Sequence, residues 1–394
     1  MSLAMPIFLL FNALGSLFGA GGSSYISRLL GLNEIEKIKK VSAFSYYGSI
    51  AAGVVMLAIL MVFMDPILKI SGATENTYEL ARQYLIIVAA GGFAMVIQIS
   101  FAQVVRAEGA AKEAMTGIIL GSVVNIILDP VMILAMNMGV EGAAWATVIG
   151  NVSAMVYYTV WRANKKSILS VSLSHLKWDR ETVKEVFSIG VPQALMNILM
   201  SVSKVMLNFF ASRCPEGDEI IAGFGVANRI NTVVVMLLIG LGQGIQPLVG
   251  YGFSSGNYQR VNSVIRWSVI FSVSLGTVLM LCFLYFPETI VRAFIDNEAV
   301  VGYGVGLLKA LACVAPIFGI QFIFLNTFQA MGKVFPSSVI SVSRQGVFFI
   351  AALLIGFRLA GVTGLMWAQP AADAGCVILS SILYFTTVGK ELKE

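Results

Sequence analysis

The sequence predicts an all-α integral membrane protein with two pseudo-symmetric helical lobes, in which about eleven of twelve transmembrane helices are present. Three observations predict this. Hydrophobic residues make up 58% of the 394-residue chain and charged residues only 12%, whereas an average soluble domain carries about 25% charged residues. Apolar runs follow one another along the whole chain, and short sequence words recur at a near-constant separation. The composition excludes a disordered chain, a coiled coil and a nucleic-acid-binding protein.

Each long apolar run predicts one transmembrane helix. A span needs about 20 apolar residues, because the hydrocarbon core is about 30 Å thick, and in lipid a helix satisfies its own backbone polar groups. The predicted spans are 3–26, 42–64, 80–105, 115–137, 141–162, 186–210, 220–249, 263–286, 303–329, 337–357 and 361–386. The longest polar stretch separates two groups of spans. We therefore expect an N-lobe at 1–162, a cytoplasmic linker at 163–185, a C-lobe at 186–388 and a cytoplasmic tail at 389–394.

Lysine and arginine residues predict the orientation of these spans. One set of alternating loops carries 17 of them and the other set carries 5. Because cytoplasmic loops are enriched in positive charge, the first set is expected to face the cytoplasm. The protein is then a multi-pass protein of the plasma (cytoplasmic) membrane with a cytoplasmic C-terminus.

An internal repeat predicts the two-lobe organisation. Four marker residues of the first half find partners 225, 223, 223 and 222 positions later, as the pairs Gly31 and Gly256, Glu75 and Glu298, Gly109 and Gly332, and Trp145 and Trp367. Near-constant separation over this distance indicates internal duplication. Six helices fall within one period, which predicts parallel repeats related by an axis along the membrane normal. The first helix of the second repeat, 186–210, has no counterpart in the first, so we expect an N-lobe of five helices that lacks its first helix.

The order and spacing of several sequence words resemble the multidrug and toxic compound extrusion (MATE) family, most closely its bacterial MepA-like branch. The words are Ser27-Arg28-Leu29-Leu30-Gly31, Arg106-Ala107-Glu108-Gly109, Asn125-Ile126-Ile127-Leu128-Asp129-Pro130, Gly139 to Thr147, Gln246-Pro247-Leu248-Val249-Gly250-Tyr251 and Gln369-Pro370-Ala371-Ala372-Asp373. The resemblance covers essentially the whole chain. It implies two six-helix lobes that form a V around a central cavity, and antiport in which Na⁺ or H⁺ enters while an organic cation leaves.

The resemblance also implies a cation site in the N-lobe. In the family this site uses an acid on the first helix, an Asn and an Asp that match Asn125 and Asp129, and a Thr on the sixth helix that matches Thr147. Tyr84 matches a cavity tyrosine nearby, and the first-helix acid has no counterpart here. The residues themselves agree with this, because Asn125 and Asp129 are four apart and share one helix face. Together they could hold a monovalent cation such as Na⁺, or the Asp129 carboxylate could take up a proton. The alternative is that Asp129 only hydrogen-bonds near the kink at Pro130.

Other ionisable residues lie inside predicted spans, where such groups are costly and commonly functional. Asp373 is a candidate cavity residue, with helix packing beside Pro370 as the alternative. Lys204 is a candidate cavity residue too, although its long side chain could instead snorkel toward the membrane surface. We expect Arg229 and Arg344 to brace the interior of a helix bundle rather than to bind a ligand.

The sequence therefore predicts a secondary active multidrug efflux antiporter that exchanges Na⁺ or H⁺ for small organic cations and needs no cofactor. It is not expected to be an enzyme, because no cluster of His, Asp and Glu lies at one membrane depth, and no nucleotide-binding Walker sequence is present. The expected partners are organic cations and the lipid bilayer, without nucleic acid or an obligate protein partner. Two alternatives stay open: a lipid or metabolite exporter of the same superfamily, and a truncated remnant that does not transport.

Overall fold

The computed structural model describes residues 5–70, 75–163 and 167–392 of the chain, and within these ranges it contains helices and no β-strand. Two compact units, Met1–Ile198 and Leu199–Glu394, divide the chain. Parts of the predicted linker, at 164–166, and of the predicted tail, at 393–394, lie outside the described residues.

The first unit contains seven helices and the beginning of an eighth among its described residues. They are α1 (Met5–Gly31), α2 (Ile35–Val62), α3 (Met64–Ile70), α4 (Glu75–Ala90), α5 (Gly92–Ala107), α6 (Ala111–Pro130), α7 (Gly139–Trp161) and the first part of α8 (Arg180–Ala211). Helices α4 and α5 form one bent span with an angle of 51° between them. The bend lies at Gly91 and Gly92, since glycine is a poor helix former and a common cause of kinks. Phe11 fills the space beside Gly92.

The second unit continues with the rest of α8 and seven further helices. These are α9 (Gly217–Ser254), α10 (Tyr258–Tyr285), α11 (Pro287–Arg292), α12 (Glu298–Ala330), α13 (Val334–Val342), α14 (Phe349–Thr386) and α15 (Val388–Glu391). A π-helical segment, Ser343–Phe348, joins α13 to α14. Gly361 breaks α14 with φ 56° and ψ −125°, so the run from Val334 to Thr386 supplies two spans rather than one.

Helices coincide with all eleven predicted spans. Among the described residues, eight helical runs are individually long and apolar enough to cross a membrane, and the bent pair α4–α5 makes a ninth. Helix α7 is a tenth span. The break at Gly361 divides the run from Val334 to Thr386 into two spans, which gives eleven. The all-α membrane architecture is therefore confirmed.

The two units repeat the same helix boundaries. Helices α2 and α10 each contain 28 residues, and both their first and their last residues are 223 positions apart. Left-handed backbone conformations recur in the same way, at the pairs Asn33 (φ 59°) and Gly256 (φ 74°), Gly109 (φ 94°) and Gly332 (φ 71°), and Gly139 (φ 55°) and Gly361 (φ 56°). The backbone thus pairs Gly256 with Asn33 rather than with Gly31, because the residue that ends a helix in this conformation is commonly Gly or Asn.

The polypeptide between α7 and α8 docks onto one end of the first unit. The Glu108 carboxylate accepts hydrogen bonds from Ser167 Oγ (2.6 Å) and the backbone N–H of Ile168 (2.7 Å). The Ser42 hydroxyl donates to the Ser170 carbonyl at 3.0 Å, and Arg28 pairs with Glu185 at 2.7 Å. Burial raises the pKa of the Glu108 carboxyl above its ordinary value, although both hydrogen bonds oppose that shift. The predicted linker is thus tied to α1, α2 and the α5–α6 turn.

Replacing Glu108 should release this segment. In Glu108→Ala the Ser167 hydroxyl and the Ile168 N–H lose their acceptor, so we expect hydrogen exchange in a peptide covering 167–172 to accelerate about 5- to 30-fold, as the loss of one or two kcal/mol of local stability implies. Glu108→Gln keeps an amide carbonyl that can accept, and it should exchange nearly as slowly as the parent. Equal exchange in the parent and in Glu108→Ala would show that the other contacts suffice to hold the segment.

Candidate functional site

Helices α6 and α7 approach closely because glycines face one another. A methyl group on Gly150 would lie 2.6 Å from the Gly121 carbonyl oxygen and 3.1 Å from Cβ of Asn125. One turn earlier on α6, Gly117 makes room for the ring of Tyr158, whose hydroxyl donates to the Ala114 carbonyl at 2.8 Å. Small residues are the usual means by which membrane helices pack this closely. Asn125 is therefore held directly against α7.

Asn125 and Asp129 form a polar pair near the end of α6. The Asn125 Nδ2 amide donates to Asp129 Oδ1 at 3.4 Å, and both side chains are half-buried. Helix α6 ends at Pro130, and a π-helical segment, Val131–Ala135, follows it. Proline supplies no N–H for the helical ladder, and π-turns in helices frequently mark functional sites. The sequence thus places a carboxylate directly before the point where a transmembrane helix changes from α-helical to π-helical hydrogen bonding.

Tyr84 and Thr147 complete the group predicted from the sequence. The Tyr84 hydroxyl lies beside that of Thr147 and within electrostatic reach of Asp129. Thr147 donates its own hydroxyl proton to the Ala143 carbonyl at 2.9 Å, which leaves its oxygen lone pairs as acceptors. Tyr84 is 5% exposed and belongs to the core formed with Leu60 and Leu85. The structure therefore brings all four predicted residues of the first unit, from α4, α6 and α7, into one neighbourhood.

Adding a methyl group to Gly150 should disturb this neighbourhood. Gly150→Ala would place the new Cβ 2.6 Å from the backbone of α6, so α6 and α7 must separate and Asn125 must shift. Overpacking of this kind costs about 1–3 kcal/mol, and we expect a lower melting temperature in detergent. Gly240→Ala in α9 is the matched control, since nothing lies within 4 Å of its added methyl group. An unchanged melting temperature in Gly150→Ala would show that the α6–α7 contact is looser than described.

Asp373 lies in the second unit, in a buried polar cluster. It is 3% exposed and its Oδ1 accepts from Arg344 Nε and from Gln369 Nε2, both at 2.8 Å. Gln345 Nε2 donates to Gln369 Oε1 at 3.4 Å, and Ser203 Oγ donates to the Gln345 carbonyl at 3.2 Å. Arg344 therefore braces a bundle interior, in line with the sequence interpretation, and its partner is Asp373.

Lys204 and Arg229 are both exposed side chains of the second unit, on α8 and α9. In the part of the chain that the structure describes, neither lies within ion-pairing distance of an acid. The structure does not bring Lys204 to Asp373. Arg229 is expected from the sequence to brace a bundle interior, but the structure leaves its side chain exposed on α9.

The sequence analysis does not predict that Arg344 and Asp373 form an ion pair. A usable signal was present: each of the last two predicted spans contains one intramembrane charge, and the two charges are opposite. Consecutive helices joined by a short turn pack together, so two such charges are expected to meet. Gln369, four residues before Asp373 on the same face, was likewise recognisable as a partner.

Comparison with known proteins decides the family. The MatE family model matches residues 1–131 and 192–355, which is most of the chain. The chain belongs to the MATE family. A relative from Staphylococcus aureus (strain MRSA252), the multidrug export protein MepA, is 33% identical over 387 residues, covering 98% of this chain and 84% of the relative. The MepA protein of Staphylococcus saprophyticus is 31% identical over 384 residues, with the same two coverages.

Solved MATE structures share the fold. A crystal structure of MATE in the bent conformation matches with a TM-score of 0.92 at 23% identity, covering 100% of this chain and 88% of that one. A superfamily transporter from Pyrococcus furiosus, described as having a binding pocket of reversed polarity, matches with a TM-score of 0.91 at 23% identity and the same coverages. The predicted MATE-like fold is confirmed, and so is the expectation of a transporter rather than an enzyme.

Proposed function

We propose that this MATE transporter is a secondary active antiporter that exports small organic cations in exchange for Na⁺ or H⁺. It would work in the cytoplasmic membrane with its C-terminus in the cytoplasm, as the excess of lysine and arginine in one set of loops favours. Its similarity to proteins named for multidrug export supports a broad range of cargo. The 18 methionines and 25 phenylalanines suit such a range, since flexible methionine side chains repack around different ligands.

One observation carries the proposal: Asp129 has no fixed counter-charge in the described part of the chain. Among the residues that the structure describes, no lysine or arginine lies within ion-pairing distance of it, whereas Asp373 is paired with Arg344. A carboxylate in a membrane-spanning helix is costly unless a proton or a cation neutralises it. Asp129 is therefore free to exchange one neutralising cation for another, which is what coupling requires.

The neighbours of Asp129 suit either coupling ion. Asn125 uses its amide N–H group toward Asp129, so its carbonyl oxygen is available to a cation, and Thr147 and Tyr84 add hydroxyl oxygens. Carboxylate, amide and hydroxyl oxygens are hard ligands of the kind that a Na⁺ ion takes, and protonation of Asp129 would remove the charge by itself. In both cases ion binding changes the charge beside the π-helical segment after Pro130 and gives two states with different affinity for a cationic cargo.

Purified protein in liposomes tests the function. Vesicles loaded with ethidium are given an inward Na⁺ gradient, an inward H⁺ gradient or no gradient, and release of the dye is followed by fluorescence. We expect one gradient to drive release and the collapse of that gradient to stop it. A rate of ethidium release that is the same with and without each gradient would contradict ion-coupled antiport. Transport of an anionic lipid or metabolite without any transport of ethidium would favour the alternative exporter of the same superfamily.

A further inference from the structure

The second unit contains a buried cluster that has the chemistry of a cation site. The guanidinium carbon of Arg344 lies 4.8 Å from the ring centroid of Phe318 and 5.5 Å from that of Phe322. The Asp373 carboxylate accepts from its Nε, and Gln369 donates to the same carboxylate oxygen. A carboxylate with aromatic faces beside it is the combination that proteins use to hold organic cations. Here the guanidinium group that contacts the carboxylate and the two rings belongs to Arg344.

Arg344 does not satisfy all the hydrogen-bonding groups of this cluster. Its Nε donates to Asp373, but among the described residues its buried Nη1 has no acceptor, and the buried Oε1 of the neighbouring Gln345 has no donor. A guanidinium group can meet a carboxylate through two parallel N–H···O bonds, and the ion pair described here is between Nε and one oxygen. Unsatisfied buried polar groups weaken a structural cluster. An arrangement that served stability alone would be expected to satisfy them.

The repeat provides a comparison inside the same chain. At the 223-residue separation, Arg344 corresponds to Gly121, which packs directly against Gly150. In the first unit, α6 and α7 therefore meet at this position through backbone contact. In the second unit, the charged side chain of Arg344 occupies the corresponding position. Arg344 also lies in the π-helical segment Ser343–Phe348, a kind of distortion that is frequent at functional sites.

We propose that Asp373, Gln369, Phe318 and Phe322 form a binding site for small planar organic cations of the guanidinium class, and that Arg344 is its tethered, exchangeable occupant. The free cation would pair with Asp373 and lie against the two phenylalanine rings once the arginine side chain leaves. This inference goes beyond coupling at Asp129, because the binding it describes needs no ion gradient.

The test removes the tethered occupant and offers a free one. Purified Arg344→Ala and Arg344→Gln are heated in detergent with and without methylguanidinium chloride in the millimolar range. At ten times its Kd, a ligand of the folded state should raise the melting temperature by roughly 3 °C. Methylurea, which has a similar shape without the charge, and NaCl should leave it unchanged. The parent and Arg344→Lys should respond only at a much higher concentration, because the free cation must first displace the tethered one.

A second variant and a second measurement separate site binding from a general salt effect. Adding Asp373→Asn to Arg344→Ala should abolish the response to methylguanidinium. Cys376 is buried within electrostatic reach of Arg344 and Asp373, so it reports on the opened site when the other three cysteines are replaced by serine. A cationic methanethiosulfonate should then label Arg344→Gln about ten times faster than an anionic one, and methylguanidinium should slow the labelling.

The outcomes are distinct. A variant that folds only when methylguanidinium is present supports the proposal in the same way as a raised melting temperature. A lack of stabilisation in both Arg344→Ala and Arg344→Gln, including failure of both to fold with the ligand, contradicts it. An equal response in the variant that also lacks the Asp373 carboxylate contradicts it as well, since the cation would then bind elsewhere.

Discussion

Asp129→Asn is expected to reduce gradient-driven export of an organic cation severely while the protein still inserts and folds. The amide has nearly the shape of the carboxylate but can neither take up a proton nor attract a cation. If coupling has the size of ordinary linkage between two sites, its loss should lower the driven export rate by roughly 10- to 100-fold. Ethidium release from liposomes at matched protein content measures the effect.

Two controls make that result specific. Asp218→Asn removes a carboxylate from an exposed position at the start of α9 and should transport like the parent. Asn125→Ala and Thr147→Ala remove neutral oxygen ligands and should weaken coupling less than Asp129→Asn. If Asp129→Asn exports ethidium as fast as the parent, Asp129 is a structural residue beside Pro130, and the coupling acid lies elsewhere.

Arg344→Ala is expected to cause a large loss of stability. It leaves the Asp373 carboxylate buried without its counter-charge, and breaking a buried ion pair by removing one partner costs about 3–5 kcal/mol. Removing both charges together, in Arg344→Met with Asp373→Leu, should be much milder, since apolar side chains can replace a buried pair at little cost. Melting temperatures in the same detergent compare the two.

The double variant is the decisive control. A double variant as unstable as Arg344→Ala would show that the loss comes from disturbed packing around Phe318 and Phe322 rather than from an unpaired carboxylate. A single variant as stable as the parent would show that Asp373 finds another partner or is protonated when Arg344 is absent.

Much of the fold follows from sequence because lipid imposes strong rules. Every membrane-spanning run must be apolar and helical, so the eleven spans and the two-fold repeat are visible in the chain. Helix ends were less predictable. Helices extend beyond the apolar runs into polar sequence. Helix α8 begins at Arg180, within the predicted linker, because the Asp179 carboxylate accepts a hydrogen bond from the Thr182 backbone N–H at 2.7 Å and so caps its first turn.

The candidate sites, like the fold, are predictable from the sequence only in part. Asn125 and Asp129 were predictable as a pair, since residues four apart share a helix face, and Thr147 and Tyr84 came from family resemblance. Spacing along one helix cannot show which residues of other helices approach it. The contact between Arg344 and Asp373 and the rings of Phe318 and Phe322 depend on packing among α12, the π-helical segment and α14, which only the folded structure provides.

If Asp129 holds the ion that alternates with cargo, the coupling ion and a cationic cargo compete for the protein at equilibrium. Binding of tetraphenylphosphonium to the purified protein is measured by equilibrium dialysis at several pH values and Na⁺ concentrations. We expect the Kd of the parent to rise about tenfold, a coupling of about 1.4 kcal/mol, as the coupling ion increases. Asp129→Asn should bind with a Kd that no longer depends on that ion, and Asp218→Asn should behave like the parent. The same ion dependence in Asp129→Asn as in the parent would show that Asp129 does not hold the coupling ion.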